Sequence, residues 1–452
     1  MPAVTAEGNA MTLSRRQLIT TGLGVAATAG LAGCAGLTSR TTDQGSGSDS
    51  GDASGPVTLT FVNWSGDTEK KAFDALIAAF QQKNPDITVK TDTVPYASIQ
   101  TNLDSRFQSG NAPDLFRVSY IDIGQYTSQD VLLDVSGAFD QSAVDKFVPG
   151  LWQGVVYDGK PYGVPHQIDT TAVLYRKDAF EAAGITDVPT TLEEAWSWDE
   201  FAGVADKLAG VVKGKQSPFI YDWQSAGAYR WLSWLFQAGG NLLAEDLTAP
   251  AVDSDAGRRA VEFTQSFFTK EWVARNTSVK STTYPDSAFI AGTVAMAFAG
   301  DFLIPSIESS IGSKVQYGAF PMPRDRIAAS DLGGNAIVAA KDGKNTAAAT
   351  KFLQFIVEED QMRTFCEATG QLPTLTSLTT SKLDFAVRPD LMETYVQQAT
   401  TLTPEQVKQV TVPQFAKINA SLADELEKAF LGGRSAADTT AALAAAVERA
   451  GQ

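Results

Sequence analysis

Several polar and aromatic side chains could bind a small polar molecule. They follow predicted strands or lie near predicted crossover segments. Aromatic rings pack against apolar C–H faces, whereas carboxylate, amide, hydroxyl and guanidinium groups exchange hydrogen bonds with hydroxyl groups. A site that combines both kinds of residue is typical of carbohydrate binding. The candidates are Trp64, Ser65, Asp67, Arg117, Ser119, Tyr120, Gln167, Asp169, Asp222, Trp223, Tyr229, Arg230, Trp231, Asp301, Phe302, Gly333, Gly334, Asn335 and Gln414.

Some of these residues also have a purely structural interpretation. Trp64 and Tyr120 could pack at the rim of a core, and Asp67 could cap the helix that follows it. Trp231 and Trp234 lie in a predicted helix that is aromatic on several faces, so at least one of them belongs to the core. The prediction therefore rests on the set of residues and not on any single member.

Residues for catalysis are hard to find in this sequence. The single histidine, His166, excludes a histidine-rich metal site, and no Ser-His-Asp arrangement is evident. No glycine-rich phosphate loop, CxxC motif or HExxH motif occurs. Asp and Glu residues total 52, but their spacing singles out no pair for glycoside hydrolysis. The sequence predicts a protein that is not an enzyme and that needs no cofactor and no metal.

The N-terminal region has the features of a bacterial lipoprotein signal peptide. Residues 14–19 (SRRQLI) resemble a twin-arginine motif, and a short run rich in Ala and Gly follows. The run ends in Leu-Ala-Gly-Cys, which resembles a lipobox with Cys34 as the lipidated residue. We therefore predict a signal peptide at 1–33 and a lipid anchor on Cys34. The general secretion route is the alternative to twin-arginine export.

Residues 34–56 are rich in Gly, Ser and Asp, which predicts a flexible tether. Cleavage before Cys34 and lipidation of its thiol would leave Cys366 as the one free cysteine, so no intrachain disulfide is expected. The formal net charge of −16 argues against nucleic acid as a partner, because phosphate binding needs a basic face.

Hydrophobic periodicity predicts alternating strands and helices after the tether. The apolar stretch 57–63 predicts a strand, and Phe73, Leu76, Ile77 and Phe80 then follow helical spacing. A chain of 452 residues is too long for one compact core. The sequence thus favours an α/β fold with two lobes.

The segment 157–178 (YDGKPYGVPHQIDTTAVLYRKD) resembles the crossover segment of the family-1 extracellular solute-binding proteins, which are similar to maltose-binding protein and serve ABC importers. The segment 110–114 (GNAPD) resembles a turn of the same family, and 289–302 (FIAGTVAMAFAGDF) resembles one of its strands. Phe302 stands where the family usually has a stacking tryptophan. The likeness extends in order from about residue 57 to the C-terminus.

This resemblance implies a periplasmic-binding-protein-like fold, in which each lobe is a mixed sheet flanked by helices and hinge segments join the lobes. It implies a first lobe of 57–168 and 335–375 and a second lobe of 169–334 and 376–452. Asp169 then lies at the hinge, where the family places a residue that contacts the ligand. The implied function is the capture of a sugar by hinge closure and its delivery to membrane permease subunits.

Two alternatives remain open at this stage. A protein of the same fold could bind a polyol, a sugar phosphate or another small solute. An extracellular glycosidase on a lipoprotein stalk is a different class of protein. We expect a monomer that is attached to the cell membrane by its lipid.

Overall fold

The part of the chain that carries the fold begins just after the tether. The structure is a computed structural model that describes residues 55–214, 216–224 and 227–452. The predicted signal peptide, Cys34 and nearly all of the tether lie outside the described residues. No helix in the described part of the chain has both the length and the apolar character needed to cross a membrane.

The strands fall into two larger sheets and one hairpin. They are β1 (Val57–Asn63), β2 (Ile87–Thr93), β3 (Leu115–Ser119), β4 (Val156–Tyr157), β5 (Lys160–Pro161), β6 (Val164–Asp169), β7 (Thr171–Arg176), β8 (Ser217–Ile220), β9 (Val294–Gly300), β10 (Tyr317–Phe320) and β11 (Gly333–Ala339). The first larger sheet has the order β2-β1-β3-β11-β6, and the second has the order β10-β7-β9-β8.

Helices cover the faces of both sheets. They are α1 (Asp67–Lys83), α2 (Ile99–Gln108), α3 (Tyr120–Ser128), α4 (Gln141–Val144), α5 (Pro149–Gln153), α6 (Lys177–Ala182), α7 (Trp198–Ala209), α8 (Leu232–Gln237), α9 (Asp255–Thr269), α10 (Asp286–Ile290), α11 (Ile304–Ser310), α12 (Thr346–Ile356), α13 (Glu359–Thr369), α14 (Thr376–Thr379), α15 (Pro389–Ala399), α16 (Pro404–Thr411), α17 (Phe415–Phe430) and α18 (Ala436–Ala450).

The first lobe is built on the five-stranded sheet. Strand β1 pairs in parallel with β2 and β3, and β11 runs antiparallel to β3 and β6. Parallel strands need a crossover, and α1 provides it between β1 and β2. The predicted residues Phe73, Leu76, Ile77 and Phe80 are the buried face of α1. Each such side chain stabilises the fold by roughly 1.5–3 kcal/mol relative to exposure in water.

The second lobe is built on the four-stranded sheet. Strand β7 is antiparallel to β10 and β9, whereas β8 is parallel to β9. Strand β9 is buried at every position, so its sequence is a continuous apolar run without alternation. Both sheets are therefore mixed and flanked by helices, as the family resemblance implies.

The chain passes between the two sheets at three places. Thr170 alone separates β6 of the first sheet from β7 of the second, and residues 321–332 lead back from β10 to β11. The third passage follows α13, where Leu372 forms an antiparallel bridge with Ile168. These passages bring the carboxyl end of β6 and the start of β11 together between the lobes.

The C-terminal segment does not pack on the second lobe alone, although the sequence analysis assigned all of 376–452 to it. Helix α15 packs against β7 and β10 of the second sheet, but α16 packs against α3 and α5 of the first lobe. Small residues permit this close approach, since a Cβ at Gly124 would lie 2.6 Å from the carbonyl oxygen of Val412. Helix α17 then contacts both α3 and α9.

Candidate functional site

A cleft with a volume of about 850 Å3 lies between the two lobes. Its walls come from the ends of β1 and β3 in the first lobe and from the ends of β8 and β9 in the second. Its floor is formed where the chain passes between the sheets, near Asp169 and Gly333. The predicted candidates that line this cleft are Trp64, Ser65, Asp67, Arg117, Ser119, Tyr120, Asp169, Tyr229, Arg230, Phe302, Gly333, Gly334 and Asn335.

Aromatic rings stand on both walls of the cleft. In the first lobe, Trp64 follows β1 and lies 5.2 Å from the ring of Tyr96, measured between centroids. In the second lobe, Phe302 follows β9 and meets Tyr284 edge to face at 5.6 Å. Trp64, Tyr96, Tyr284 and Phe302 are all half-buried, so each ring keeps part of its surface open to the cleft. Flat apolar surfaces therefore border the cleft on both sides.

Arg117 on β3 is held rigidly within the first wall. Its Nη1 donates to the carbonyl of Trp64 at 2.7 Å, and its Nη2 donates to Oε1 of Glu69 at 2.7 Å. The guanidinium also lies 4.6 Å from the Trp64 ring and 5.6 Å from the Phe73 ring. Gln371 donates to the same Glu69 oxygen at 2.5 Å. Glu69 on α1 therefore links β3, through Arg117, to the third passage between the sheets, through Gln371.

Arg230 in the second wall belongs to the short 3-10 helix Gly227–Trp231 and is only 6% exposed. Its Nε lies 3.4 Å from Oδ2 of Asp331 and 3.7 Å from Oδ2 of Asp222. Its Nη2 lies 3.9 Å from Oδ1 of Asp169. One guanidinium therefore faces three buried carboxylates. Tyr229 adds an aromatic face, with its centroid 4.8 Å from the guanidinium carbon.

The floor of the cleft requires glycine at two positions. A Cβ on Gly333 would lie 1.8 Å from Oδ1 of Asp169, so any side chain there would displace the carboxylate. Gly334 has a φ of +103°, and a Cβ there would meet the backbone of Gln167 and Ile168 at 2.5 Å. The pair of glycines therefore lets Asp169 lie against the backbone of β11.

Burial controls the ionisation of the carboxylates near the floor. It raises the pKa of Asp169 to about 7; Arg230 opposes this rise, and Asp331 and Asp222 add to it. Burial also raises the pKa of Asp222, and it raises the pKa of Asp301 well above the usual range, with Asp169 adding to the latter rise. The floor therefore disfavours several simultaneous negative charges.

The structure brings some predicted residues close to the cleft without placing them on its surface. Asp222 is fully buried beneath Arg230, and Asp301 is fully buried and accepts a hydrogen bond from the Thr170 N–H at 2.8 Å. Gln167 is also fully buried, in β6. These three side chains support the floor from below and do not line the cleft.

Three other predicted contacts lie away from the cleft. Trp223 packs on Tyr221 at 4.3 Å between centroids, and Trp231 is fully buried with its Nε1 donating to Thr264. Gln414 donates to the carbonyl of Leu247 at 3.4 Å, outside the cleft. Each of these side chains contacts other residues of the second lobe and does not face the cleft.

Sequence reasoning missed several cleft residues. The missed residues with hydrogen-bonding side chains include Glu69, Tyr96, Gln224, Tyr284 and Gln371. Glu69 stands in the first turn of α1, where the preceding residues were already candidates, so its proximity was a usable signal. Tyr284 precedes α10 in an irregular stretch, and no periodicity in the sequence places it.

His166 is a core residue and not a part of the cleft wall. It is fully buried on β6, with ring centroids 4.5 Å from Phe365 and 5.7 Å from Phe73. Neither ring nitrogen has a hydrogen-bond partner among the described residues. Burial lowers the pKa of His166 to about 3, and the charge of Arg117 adds to this effect. The imidazole is therefore neutral at physiological pH.

Comparison with known proteins agrees with this architecture. Residues 64–363 match the family described as bacterial extracellular solute-binding protein. The chain belongs to this family. It is thus an extracellular solute-binding protein, and the family and its fold are those of binding proteins and not of enzymes.

Named relatives and solved structures extend over most of the chain. The maltodextrin-binding protein of Bacillus subtilis is 26% identical over 361 residues, covering 78% of this chain and 80% of that protein. An ABC substrate-binding protein from Listeria monocytogenes, solved in complex with cycloalternan, superimposes with a TM-score of 0.74 at 22% identity, covering 87% of this chain and 98% of that one. A Thermotoga lettingae solute-binding protein bound with alpha-D-tagatose gives a TM-score of 0.73 at 23% identity, covering 87% of this chain and all of the other. The predicted two-lobed fold is confirmed.

Proposed function

We propose that this solute-binding protein captures a carbohydrate in the cleft between its lobes and delivers it to an ABC importer. The observation that carries the proposal is the pairing of half-buried aromatic rings on both walls with buried polar groups at the floor. Trp64 and Phe302 offer flat surfaces for sugar rings, while Asp169 and Arg230 offer an acceptor and a donor for hydroxyl groups. The names of the relatives support the same ligand class.

The cleft geometry also suggests how capture occurs. The ligand-facing groups are divided between two sheets that only three passages of chain connect. Contacts made by both walls at once exist only when the lobes lie close together, so a ligand that makes them favours the closed form. The importer subunits would then recognise this closed form in the membrane.

The lipid anchor completes the proposal. Cys34 would carry the lipid, and residues 35–56 would let the folded part reach a permease in the same membrane. One relative, from Streptococcus pneumoniae, is described as a maltooligosaccharide ABC transporter solute-binding lipoprotein. We expect the folded part to act as a monomer.

A thermal-shift screen of the purified protein tests the carbohydrate proposal. Mono- and oligosaccharides, polyols and sugar phosphates are added, and a ligand at about 100 times its dissociation constant is expected to add about 2.7 kcal/mol of stability. The matched control is a variant, Trp64→Ala, which should lose most of the shift. A shift with a non-carbohydrate solute alone, or recovery of cleaved sugar, would contradict the proposal.

A further inference from the structure

The floor of the cleft holds more carboxyl groups than its single cation can balance when they are ionised. Arg230 faces Asp169, Asp222 and Asp331 at distances of 3.4 to 3.9 Å. These distances are longer than the roughly 2.7–2.9 Å of a charge-assisted hydrogen bond. With all three carboxylates ionised, the group holds a formal charge of −2. Asp301 is also fully buried nearby, but burial disfavours its ionised form, so it is not counted in this charge.

Arg117, the other arginine of the cleft, cannot neutralise the carboxylates at the floor. Arg117 is paired with Glu69 at 2.7 Å, and its second nitrogen is bound to a backbone carbonyl at 2.7 Å. Among the described residues that line the cleft there is no lysine or histidine. A negatively charged ligand would therefore meet an already anionic floor, which argues against a sugar phosphate.

Asp169 is the floor carboxylate that a ligand can reach. It lines the cleft, whereas Asp222 and Asp331 do not. Its side chain is 12% exposed, and its Oδ1 is buried without a hydrogen-bond partner among the described residues. Arg230 retains Asp222 and Asp331 as partners when Asp169 turns to another cation. The carboxylate of Asp169 therefore borders the cleft, lacks a hydrogen-bond donor and has its nearest cation, Arg230, only at 3.9 Å.

Burying a carboxylate without a hydrogen-bond donor is costly, so the site gains from a proton or from a closer cation at this position. The rings of Tyr96 and Tyr229 also line the cleft, and aromatic faces attract cations. An ammonium group supplies three donors and a positive charge in the volume of a hydroxyl group. Its charge would balance the excess that Arg230 leaves.

We propose that the cleft selects a carbohydrate that carries a protonated amine, with the ammonium group lying against Asp169. This inference rests on the proposed function and specifies its ligand class. A hydrogen bond to a charged group is about 1–1.5 kcal/mol stronger than one between neutral groups, which corresponds to about a tenfold difference in dissociation constant. We expect amino sugars to bind more tightly than their neutral counterparts by about that factor.

Matched oligosaccharides test this inference on the purified full-length protein. Chitosan and chitin oligosaccharides of equal length differ by an amine against an acetamide, and glucosamine and glucose differ by an amine against a hydroxyl. Titration calorimetry should show about tenfold tighter binding of the amine at each length. The preference should disappear in Asp169→Asn and persist in Asp187→Asn, a change of equal charge at an exposed position.

A second measurement needs no ligand. If the floor holds excess negative charge, Asp169→Asn and Asp331→Asn should each raise the melting temperature at pH 8, whereas Asp187→Asn should not. A fall in melting temperature in both floor variants would overturn the inference. Equal or tighter binding of the neutral or phosphorylated sugars would refute it while leaving the receptor proposal intact. Absence of binding to every carbohydrate would refute the receptor proposal and this inference together.

Discussion

Arg117 donates from Nη2 to Oε1 of Glu69 at 2.7 Å, and this ion pair connects two elements of the first wall. Arg117 is 1% exposed and the Glu69 side chain is 18% exposed. Removal of one partner from such a pair leaves the other charge partly buried and uncompensated.

Arg117→Ala should therefore destabilise the fold by about 3 kcal/mol, because Glu69 and the carbonyl of Trp64 would lose their shared donor. Urea unfolding measures the change. The control is Arg106→Ala, which breaks the more exposed pair with Asp92 and should cost less than about 1 kcal/mol. Equal losses in the two variants would contradict the importance of burial.

The buried imidazole of His166 predicts a pH dependence of stability. Its pKa is about 3 when folded and about 6.5 when unfolded, so the unfolded state binds more protons between these values. Stability should therefore fall as the pH drops below about 6.5. The contribution of His166 at pH 5 amounts to a loss of about 2 kcal/mol relative to neutral pH.

His166→Phe removes this titration and places an apolar ring between Phe73 and Phe365. Its free energy of unfolding, compared with that of the parent at pH 8 and at pH 5, should show an advantage that grows at the lower pH. The difference between the two proteins isolates His166 from the carboxylates, which titrate in both. Parallel pH curves would show that folding does not lower the pKa of His166.

Asp301→Asn should stabilise the protein at pH 8. Burial raises the pKa of Asp301 well above its usual range, so its ionised form is disfavoured in the folded state. An amide oxygen can still accept the hydrogen bond from the Thr170 N–H. The advantage should shrink as the pH falls, because the parent carboxyl becomes protonated in the folded state. Melting temperatures from pH 8 to pH 5 test the trend, and an advantage that grows at lower pH would contradict it.

Gly333→Ala should weaken ligand binding by more than about tenfold, because the new Cβ would occupy the position of the Asp169 carboxylate. Calorimetry with the ligand from the thermal-shift screen measures the loss. Gly203→Ala in α7 is the control, since a Cβ at this position would have nothing within 4 Å and alanine favours a helix by up to about 1 kcal/mol. If Gly333→Ala leaves the affinity unchanged, Asp169 does not contact the ligand.

Trp64→Ala should weaken ligand binding, whereas Trp231→Ala should weaken the stability of the fold. Trp64 is half-buried on the cleft wall, so its loss should cost about 1–3 kcal/mol of binding with little change in melting temperature. Trp231 is fully buried, and its loss should cost about 3–5 kcal/mol of stability. Calorimetry and urea unfolding of both variants provide the comparison. A loss of affinity in folded Trp231→Ala that matches that of Trp64→Ala would contradict these placements.

Local patterns predicted the elements of this fold well. Strand β1 has the bounds that the apolar pattern indicated. Helical spacing also identified the buried face of α1 correctly. Such elements repeat one spacing over several residues, and burial on one side of a sheet is what creates that spacing.

The residues of the cleft were less predictable. Whether an aromatic ring faces the cleft or the core depends on its contacts with residues that are far away in the sequence. Trp223 was a predicted ligand contact, but β8 ends at Ile220 and the Trp223 ring turns into the core. Trp231 and Arg230 are neighbours in the chain, yet only Arg230 reaches the cleft. No local periodicity separates two such neighbours. The position of Asp169 was accessible because a recognisable crossover segment contains it.

The single residue Thr170 between the two sheets limits the kinds of movement that the lobes can make. Thr170 contributes only two soft backbone torsions, and its N–H and hydroxyl groups are hydrogen-bonded to Asp301 and Tyr395. A joint of this kind favours rotation about a nearly fixed pivot over sliding. Since Asp169 is next to Thr170, it would move less in such a rotation than cleft residues that lie farther from this joint. A ligand would thus meet the same arrangement of floor residues in the open and in the closed form. The charge of the floor would then select the ligand before the two walls enclose it.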